Sequence, residues 1–110
     1  MRITHLSEGA PVATAEVTPL PGCAQVAVIH SAFVIPEKRG QGVGQEAHRQ
    51  RLSRIADDLY DLVVCTVDEA NAAQVRILVK NGWRRATVFK SSKTGHIVGL
   101  WTKLTVYINN

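Results

Sequence analysis

The chain has 110 residues and a mass of 12.0 kDa, with 13 Lys and Arg against 9 Asp and Glu, a formal charge of +4 and a pI near 9.4. That length gives one domain, spanning 1–110, since domains run to roughly 100–150 residues. With 45% hydrophobic and 20% charged residues, a disordered or collagen-like chain is excluded. No stretch approaches the roughly 20 apolar residues of a membrane span. Arg2, His5 and Glu8 stand where a signal peptide would be apolar, so a cytoplasmic protein is expected.

Two short segments, Met1 to Leu6 and Val12 to Thr18, read as strands, and Pro19-Leu20-Pro21-Gly22 reads as the turn that follows them. Ala24 to Ile35 comes next, apolar almost throughout. Such a run marks a central strand in a sheet covered on both sides. Pro36 ends it, and Arg39-Gly40-Gln41-Gly42-Val43-Gly44 leads into a helix over Gln45 to Leu59. Its apolar side is Ala47, Leu52, Ile55, Ala56 and Leu59, with Arg49, Gln50, Arg54 and Asp57 largely opposite.

Leu62 to Val67 is a second buried strand. Asn71 to Lys80 is a second helix, with Asn71 and Gln74 spaced as an N-cap and its partner and Gly82 placed as the stop. Trp83 to Phe89 and Ile97 to Val106 are strands joined by the polar loop from Lys90 to His96. The order β-β-β-α-β-α-β-β predicts an α/β (α+β) chain: a mixed sheet with helices packed on its faces. Cys23 and Cys65 lack C-x-x-C spacing and read as reduced structural thiols. Scattered basic residues, with no run of five or six, suit the phosphates of a cofactor as well as nucleic acid.

The chemical signal is the glycine turn. Glycines let the backbone turn tightly, and the first N–H groups of the following helix have no intrahelical acceptors. A pyrophosphate placed there gains those hydrogen bonds and the favourable end of the helix dipole, with Arg39 as a further cation. Gly40, Gly42 and Gly44 fall at alternate positions, which fails the dinucleotide fingerprint, and no Gly-Lys-Ser/Thr follows, which fails the P-loop.

Arg39, Gly42 and Gly44 do match R-x-x-G-x-G, preceded by Phe33-Val34-Ile35-Pro36. In that setting the chain resembles the GNAT family of N-acetyltransferases. The second half resembles it independently: the family commonly has an asparagine after its fifth strand and a Lys-x-Gly-aromatic sequence ending the next helix. Here these are Asn71-Ala72-Ala73-Gln74 and Lys80-Asn81-Gly82-Trp83. The similarity is good from about Ala24 to Phe89, the expected cofactor-binding core.

The resemblance implies a mostly antiparallel sheet of about six to seven strands with two main helices. It also implies acetyl-CoA as cosubstrate and transfer of its acetyl group to the amine of a small molecule or protein, by direct attack in a ternary complex. Carried over residue by residue, the backbone of Ala32, Phe33 and Val34 would pair with the pantetheine arm. Arg39, Gly40, Gln41, Gly42, Val43, Gly44 and Gln45 would cradle the pyrophosphate. Asn71 would contact the cofactor near its thioester, and strands Ala24–Ile35 and Leu62–Val67 would splay to admit it.

Two departures qualify the pattern. Many members carry a tyrosine as general acid seven residues after the asparagine, where this chain has Leu78, on the apolar stripe Ala72, Val75, Leu78 and Val79. Members also carry two helices between their first two strands, whereas only Ser7-Glu8-Gly9-Ala10 separates them here. The acceptor site would then be an open cleft suited to a large acceptor, or be completed by a dimer partner or by Trp101–Asn110.

His30 is the candidate general base, since histidine is the side chain suited to taking up a proton at neutral pH, set against a core histidine bonded to backbone. Ser31 and Thr66 are candidate relays, His96 a loop histidine that could face substrate, and Cys65 a small hydrophobe. Asn71, Gly82 and Arg39 also read as cap, cap and surface charge. Arg49, Arg51 and Arg54 form a solvated helix face or a contact for the adenosine 3′-phosphate, and Trp83 and Trp101 are core aromatics. Leu78 also motivates an alternative, a CoA-binding module without catalysis. A small basic nucleic-acid-binding protein ranks last, because neither an aromatic-plus-basic sheet signature nor a helix-turn-helix is visible.

Overall fold

A computed structural model describes residues 1–105. Its elements are β1 (Arg2–Ser7), β2 (Ala10–Leu20), β3 (Cys23–Val34), a 3-10 turn (Pro36–Lys38), α1 (Val43–Asp57), β4 (Leu62–Asp68), α2 (Ala72–Lys80), β5 (Arg84–Lys90) and β6 (Ile97–Leu104). Val106, expected to end the last strand, and the tail beyond it lie outside the described residues.

The strands form one six-stranded sheet in the order β1-β2-β3-β4-β6-β5. Only β3 and β4 pair in parallel; all other neighbours are antiparallel. Proline does not interrupt β2, because Pro11 and Pro19 sit near its two ends, where a missing N–H costs the ladder little.

Both helices lie on the same face, which corrects the expectation of a sheet covered on both sides. Ala15, Val17, Ala27, Ile29, Val63, Cys65, Val67 and Trp101 meet Ile55 of α1 and Leu78 of α2 in one core cluster. The reason is handedness. β5 runs parallel to β4, since both are antiparallel to β6, so β3-α1-β4 and β4-α2-β5 are crossovers that step in the same direction along the sheet. A common right hand then places both helices on one side. Val26, Val28, Leu62, Val64 and Leu100, on the alternate positions, are only half-buried.

The inward face of α1 also differs from the apolar stripe. Ala47 and Ile55 are buried and Leu52 packs against the core, but the other buried positions are His48 and Arg51. Arg51 therefore leaves the solvated face on which it was expected. Ala56 is exposed, and Leu59 lies beyond the helix end at φ 65° with 84% of its surface exposed. On α2, Leu78 is fully buried and Val75 packs against the core, whereas Val79 is exposed.

The α2 stop is as the spacing predicts: Gly82 at φ 80° lets its N–H reach Val79 O at 3.1 Å and Trp83 N–H reach Leu78 O at 3.0 Å. That turn delivers Trp83 into the core, where its indole N–H donates to His48 Nε2 at 2.8 Å. Burial, then the cations Arg51 and Lys103, push the His48 imidazole down from 6.5 to about 4. His48 is thus neutral in the fold at neutral pH.

Two stability measurements check this packing. Leu78→Ala should lower the urea-unfolding free energy by about 2–5 kcal/mol, the range for emptying a buried leucine site. Leu59→Gly should raise it by about 0.5–1 kcal/mol, because glycine adopts positive φ without the Cβ clash. For His48, the unfolded imidazole binds a proton below pH 6.5 that the folded one refuses down to about 4, so stability falls with falling pH across that window. Wild type should lose about 3 kcal/mol more than His48→Gln between those limits, a variant that keeps an acceptor for the indole but does not titrate.

Candidate functional site

The β3–β4 ladder is short. Its pairs are Val26 with Leu62, Ala27 with Val63 and Val28 with Val64, yet β3 runs on to Val34 and β4 to Asp68. Beyond Val28 and Val64 the two strands part, as the expected splay requires. On its other edge β3 stays paired with β2, but the register slips between Thr14 and Glu16, where Ser31 takes φ 57°. This is a bulge with a non-glycine residue in the left-handed region, a strained conformation that re-aims the strand beside the split.

From Val34 the chain enters the glycine turn. Arg39 folds back, its Nε donating to Val34 O at 3.0 Å and its guanidinium lying 5.3 Å from the Phe33 ring centre. Gly40 and Gly42 take φ 76° and 80°, and Gly42 caps α1 without a side chain. The bond from Glu46 N–H to Gly42 O at 3.1 Å opens the helix, so the N–H groups of Val43, Gly44 and Gln45 have no helical acceptor. Gly44 is small for a different reason: a Cβ there would lie 3.3 Å from Ile77 Cδ1 of α2. Gln45 and Asn81 bond side chain to side chain, at 3.0 Å from Asn81 Nδ2 to Gln45 Oε1, tying the start of α1 to the end of α2.

Between these elements lies a cavity of about 830 Å³. Of the residues assigned to cofactor binding, Ala32, Phe33, Val34, Arg39, Gly40, Gly42, Gly44, Gln45 and Asn71 line it. Gln41 and Val43 do not; Gln41 instead braces the loop through Nε2 to Glu37 O at 2.8 Å. Asn71 combines both of its readings, since it lines the cavity and its Oδ1 caps α2 by accepting from Gln74 N–H at 3.2 Å.

The remaining lining is His48 and Arg51 from α1, and Ala73, Gln74, Arg76, Ile77 and Lys80 from α2; of these only Arg51 carried a cofactor expectation, as a contact for the adenosine 3′-phosphate. Arg76 and Lys80 are one helical turn apart, a spacing that could have been noticed once Asn71 was taken as the start of a helix facing the loop. Four cations and no carboxylate line the cavity. An anionic ligand with an extended arm fits this chemistry, because the free N–H groups, the helix dipole and the cations all favour negative charge.

His30 is elsewhere. It is exposed, which overturns the core-histidine reading, and it points from the helix-free face two residues past the last β3–β4 pair. Its Nδ1 lies 3.2 Å from Ser31 Oγ, and Glu16 of β2 is its cross-strand neighbour. Glu16 is held below the usual carboxylate range, first by its bond to Arg2.

At the far end of β4, Asp68 Oδ2 pairs with His96 Nδ1 at 2.6 Å. The Ala70 N–H and then His96 hold the Asp68 carboxyl below its ordinary value. Thr66, two residues before Asp68 on β4, is exposed. Cys65 faces the core and burial pushes its thiol up to about 12, only partly opposed by the Arg51 guanidinium. A thiol so disposed to stay protonated is a poor nucleophile.

Trp83 and Trp101 are both buried, as expected of core aromatics. Arg49 and Arg54 stay on the surface, paired with Glu46 at 3.5 Å and Asp58 at 3.2 Å. Among the described residues no His, Cys, Asp and Glu cluster could hold a metal ion, and no helix is long and apolar enough to cross a membrane.

The chain is similar to solved acetyltransferase structures. One is the ribosomal-protein-S18-alanine N-acetyltransferase of Escherichia coli, at TM-score 0.81 and 15% identity over 100% of this chain and 73% of that one. Another is the YncA protein of Salmonella typhimurium with its cofactor acetyl-CoA, at TM-score 0.84 and 13% identity over 99% of this chain and 66% of that one. A third is the IAA acetyltransferase of Bacillus cereus, at TM-score 0.82 and 10% identity over 94% and 76%. At such identities the likeness establishes the fold: a six-stranded, mostly antiparallel sheet with two helices. No curated protein is similar enough in sequence to count as a relative. The sequence pattern of the acetyltransferase (GNAT) family, however, matches residues 2–83, and with the glycine turn, the split strands and the shared fold it places this chain in that family.

Proposed function

We propose that this chain is an acetyl-CoA-dependent N-acetyltransferase in which an acceptor amine attacks the thioester directly, within a ternary complex. The observation that carries the reading is the β3–β4 split, which joins a cation-lined cavity on the helix face to an open sheet face bearing His30. The whole of 1–110 acts as one domain in this reading, with 24–89 carrying the cofactor.

Acetyl-CoA supplies an acyl group activated by a good leaving thiolate. The rest falls to the protein. The N–H groups of Val43, Gly44 and Gln45, with Arg39, hold the pyrophosphate, and Gly40, Gln41 and Gly42 shape the loop that brings them together. The backbone of Ala32, Phe33 and Val34, past the end of the β3–β4 ladder and with Val34 O held by Arg39, takes the amide groups of the pantetheine arm and so lays it along β3. Asn71 faces the same cavity from the head of α2.

Positioning of this kind turns an encounter of two molecules into a reaction within one complex, and backbone N–H groups polarise the carbonyl as charge develops on its oxygen. His30 takes the proton that the ammonium form of the acceptor must lose before or during attack. The departing sulfur takes a proton from water, because Leu78 is in the core where the family's acid would stand.

Calorimetric titration checks the cofactor. Acetyl-CoA should bind wild type with micromolar affinity, and Gly42→Glu should weaken it by about 100-fold or more by combining strain at φ 80° with negative charge in the cradle. No binding to folded wild type would refute the reading.

Release of CoA in the presence of a panel of amines and peptides checks the chemistry. Turnover should fall by about 100-fold in His30→Ala, the low end for loss of a general base, with acetyl-CoA affinity retained. Tight binding without CoA release would favour the module without catalysis, the reading that Leu78 supports.

A further inference from the structure

Two polar side chains in the cavity floor have no use in the reaction described above. Arg51 is 5% exposed and His48 is 2% exposed, and both line the cavity. They stand three residues apart on α1 and so share a face.

Arg51 makes no ion pair and no side-chain hydrogen bond with any described residue. His48 Nε2 accepts the Trp83 indole N–H, a group that can only donate. The neutral imidazole therefore carries its proton on Nδ1, and Nδ1 is buried without a partner. A guanidinium almost wholly withdrawn from bulk water, lining a cavity with no protein acceptor within reach, is unfavourable unless a ligand supplies one.

The place of this pair decides what that ligand group is. The phosphates of a CoA thioester are served at the mouth, by Arg39 and the head of α1, with Arg76 and Lys80 exposed on α2. Arg51 lies eight residues further along α1, about 12 Å deeper at 1.5 Å per residue. One turn further along α1, Ile55 packs in the core cluster with Cys65, the residue of β4 immediately beyond the last β3–β4 pair. That is the crotch of the split, where an arm laid along β3 from the glycine turn would end.

Resting on the cofactor reading above, we propose that Arg51 forms a seat for a carboxylate at the end of the acyl chain, so that the favoured donor is an acyl-CoA bearing an acidic acyl group. Both carboxylate oxygens accept from the guanidinium, whose planar fork of N–H donors matches them. The charge-assisted pair gives the guanidinium the acceptors it lacks, and a methyl group gives it none.

Calorimetric titration of the full chain with acetyl-CoA, succinyl-CoA, CoA and dephospho-CoA tests this. Succinyl-CoA should bind wild type about tenfold or more tightly than acetyl-CoA, and that ratio should collapse to within about twofold in Arg51→Met. Equal affinity of wild type for the two thioesters would overturn the acidic-acyl seat while leaving the cofactor reading intact. A preference for CoA over dephospho-CoA that vanishes in Arg51→Met would assign the anion to the 3′-phosphate and overturn it as well. Failure of every thioester to bind folded wild type would remove the cofactor reading and the seat with it. Should Arg51→Met not fold, the wild-type ratio and Arg51→Gln carry the same decision.

Discussion

The parallel ladder between β3 and β4 closes over Val26–Val28 and Leu62–Val64 and then stops, although both strands continue. Parallel strands in a sheet interior normally satisfy each other's backbone groups, and unpaired N–H and C=O groups demand another partner. Here the facing edges of β3 and β4 are left open where the chain bends at Ser31 and turns through its glycines. In the proposed function the arrangement is a backbone template for an extended ligand, with the glycine turn at the phosphate end. Everything else in the proposed chemistry depends on that opening, because it is the passage from the helix-covered face to the bare one.

Charge follows the same division. Outside the cavity, Arg2, Arg49, Arg54 and Arg85 pair with Glu16, Glu46, Asp58 and Glu69. Inside it Arg39, Arg51, Arg76 and Lys80 meet no carboxylate. The formal charge of +4, read along the chain as scattered, is thus unbalanced at the ligand site rather than over a broad surface. That favours a compact polyanion over a nucleic-acid backbone, which needs an extended basic track. Burial tunes the groups inside: it keeps His48 neutral and Cys65 protonated, leaving Arg51 as the one buried charge among the described residues.

The turn signals were legible because their chemistry is local. Gly42 and Gly82 must adopt positive φ, Asn71 must accept the Gln74 N–H, and neither requirement consults the rest of the fold. The apolar stripe of α1 was legible only in part. Leu59 belongs to it by periodicity, but the helix ends at Asp57 and the residue turns outward. Arg51 reads with Arg49 and Arg54 as a solvated face or a phosphate contact, and His48 gives no signal at all, yet both are buried in the cavity wall, since polarity along a helix does not show which polar residues will face a cavity.

By itself, then, the sequence determined the order of the elements, the glycine turn after β3, the cap and stop of α2, and the family to which they point. Each is a rule of backbone geometry or of residues within one turn of one another. The tertiary structure alone decided that both helices cover one face, that the ladder ends at Val28 and Val64, and that His30 looks out from the bare side while Arg51 looks in. Those outcomes depend on crossover handedness and on contacts between residues far apart in the chain. Hydrophobic periodicity carries no record of either, since it reports how apolar a face is and not what will be packed against it.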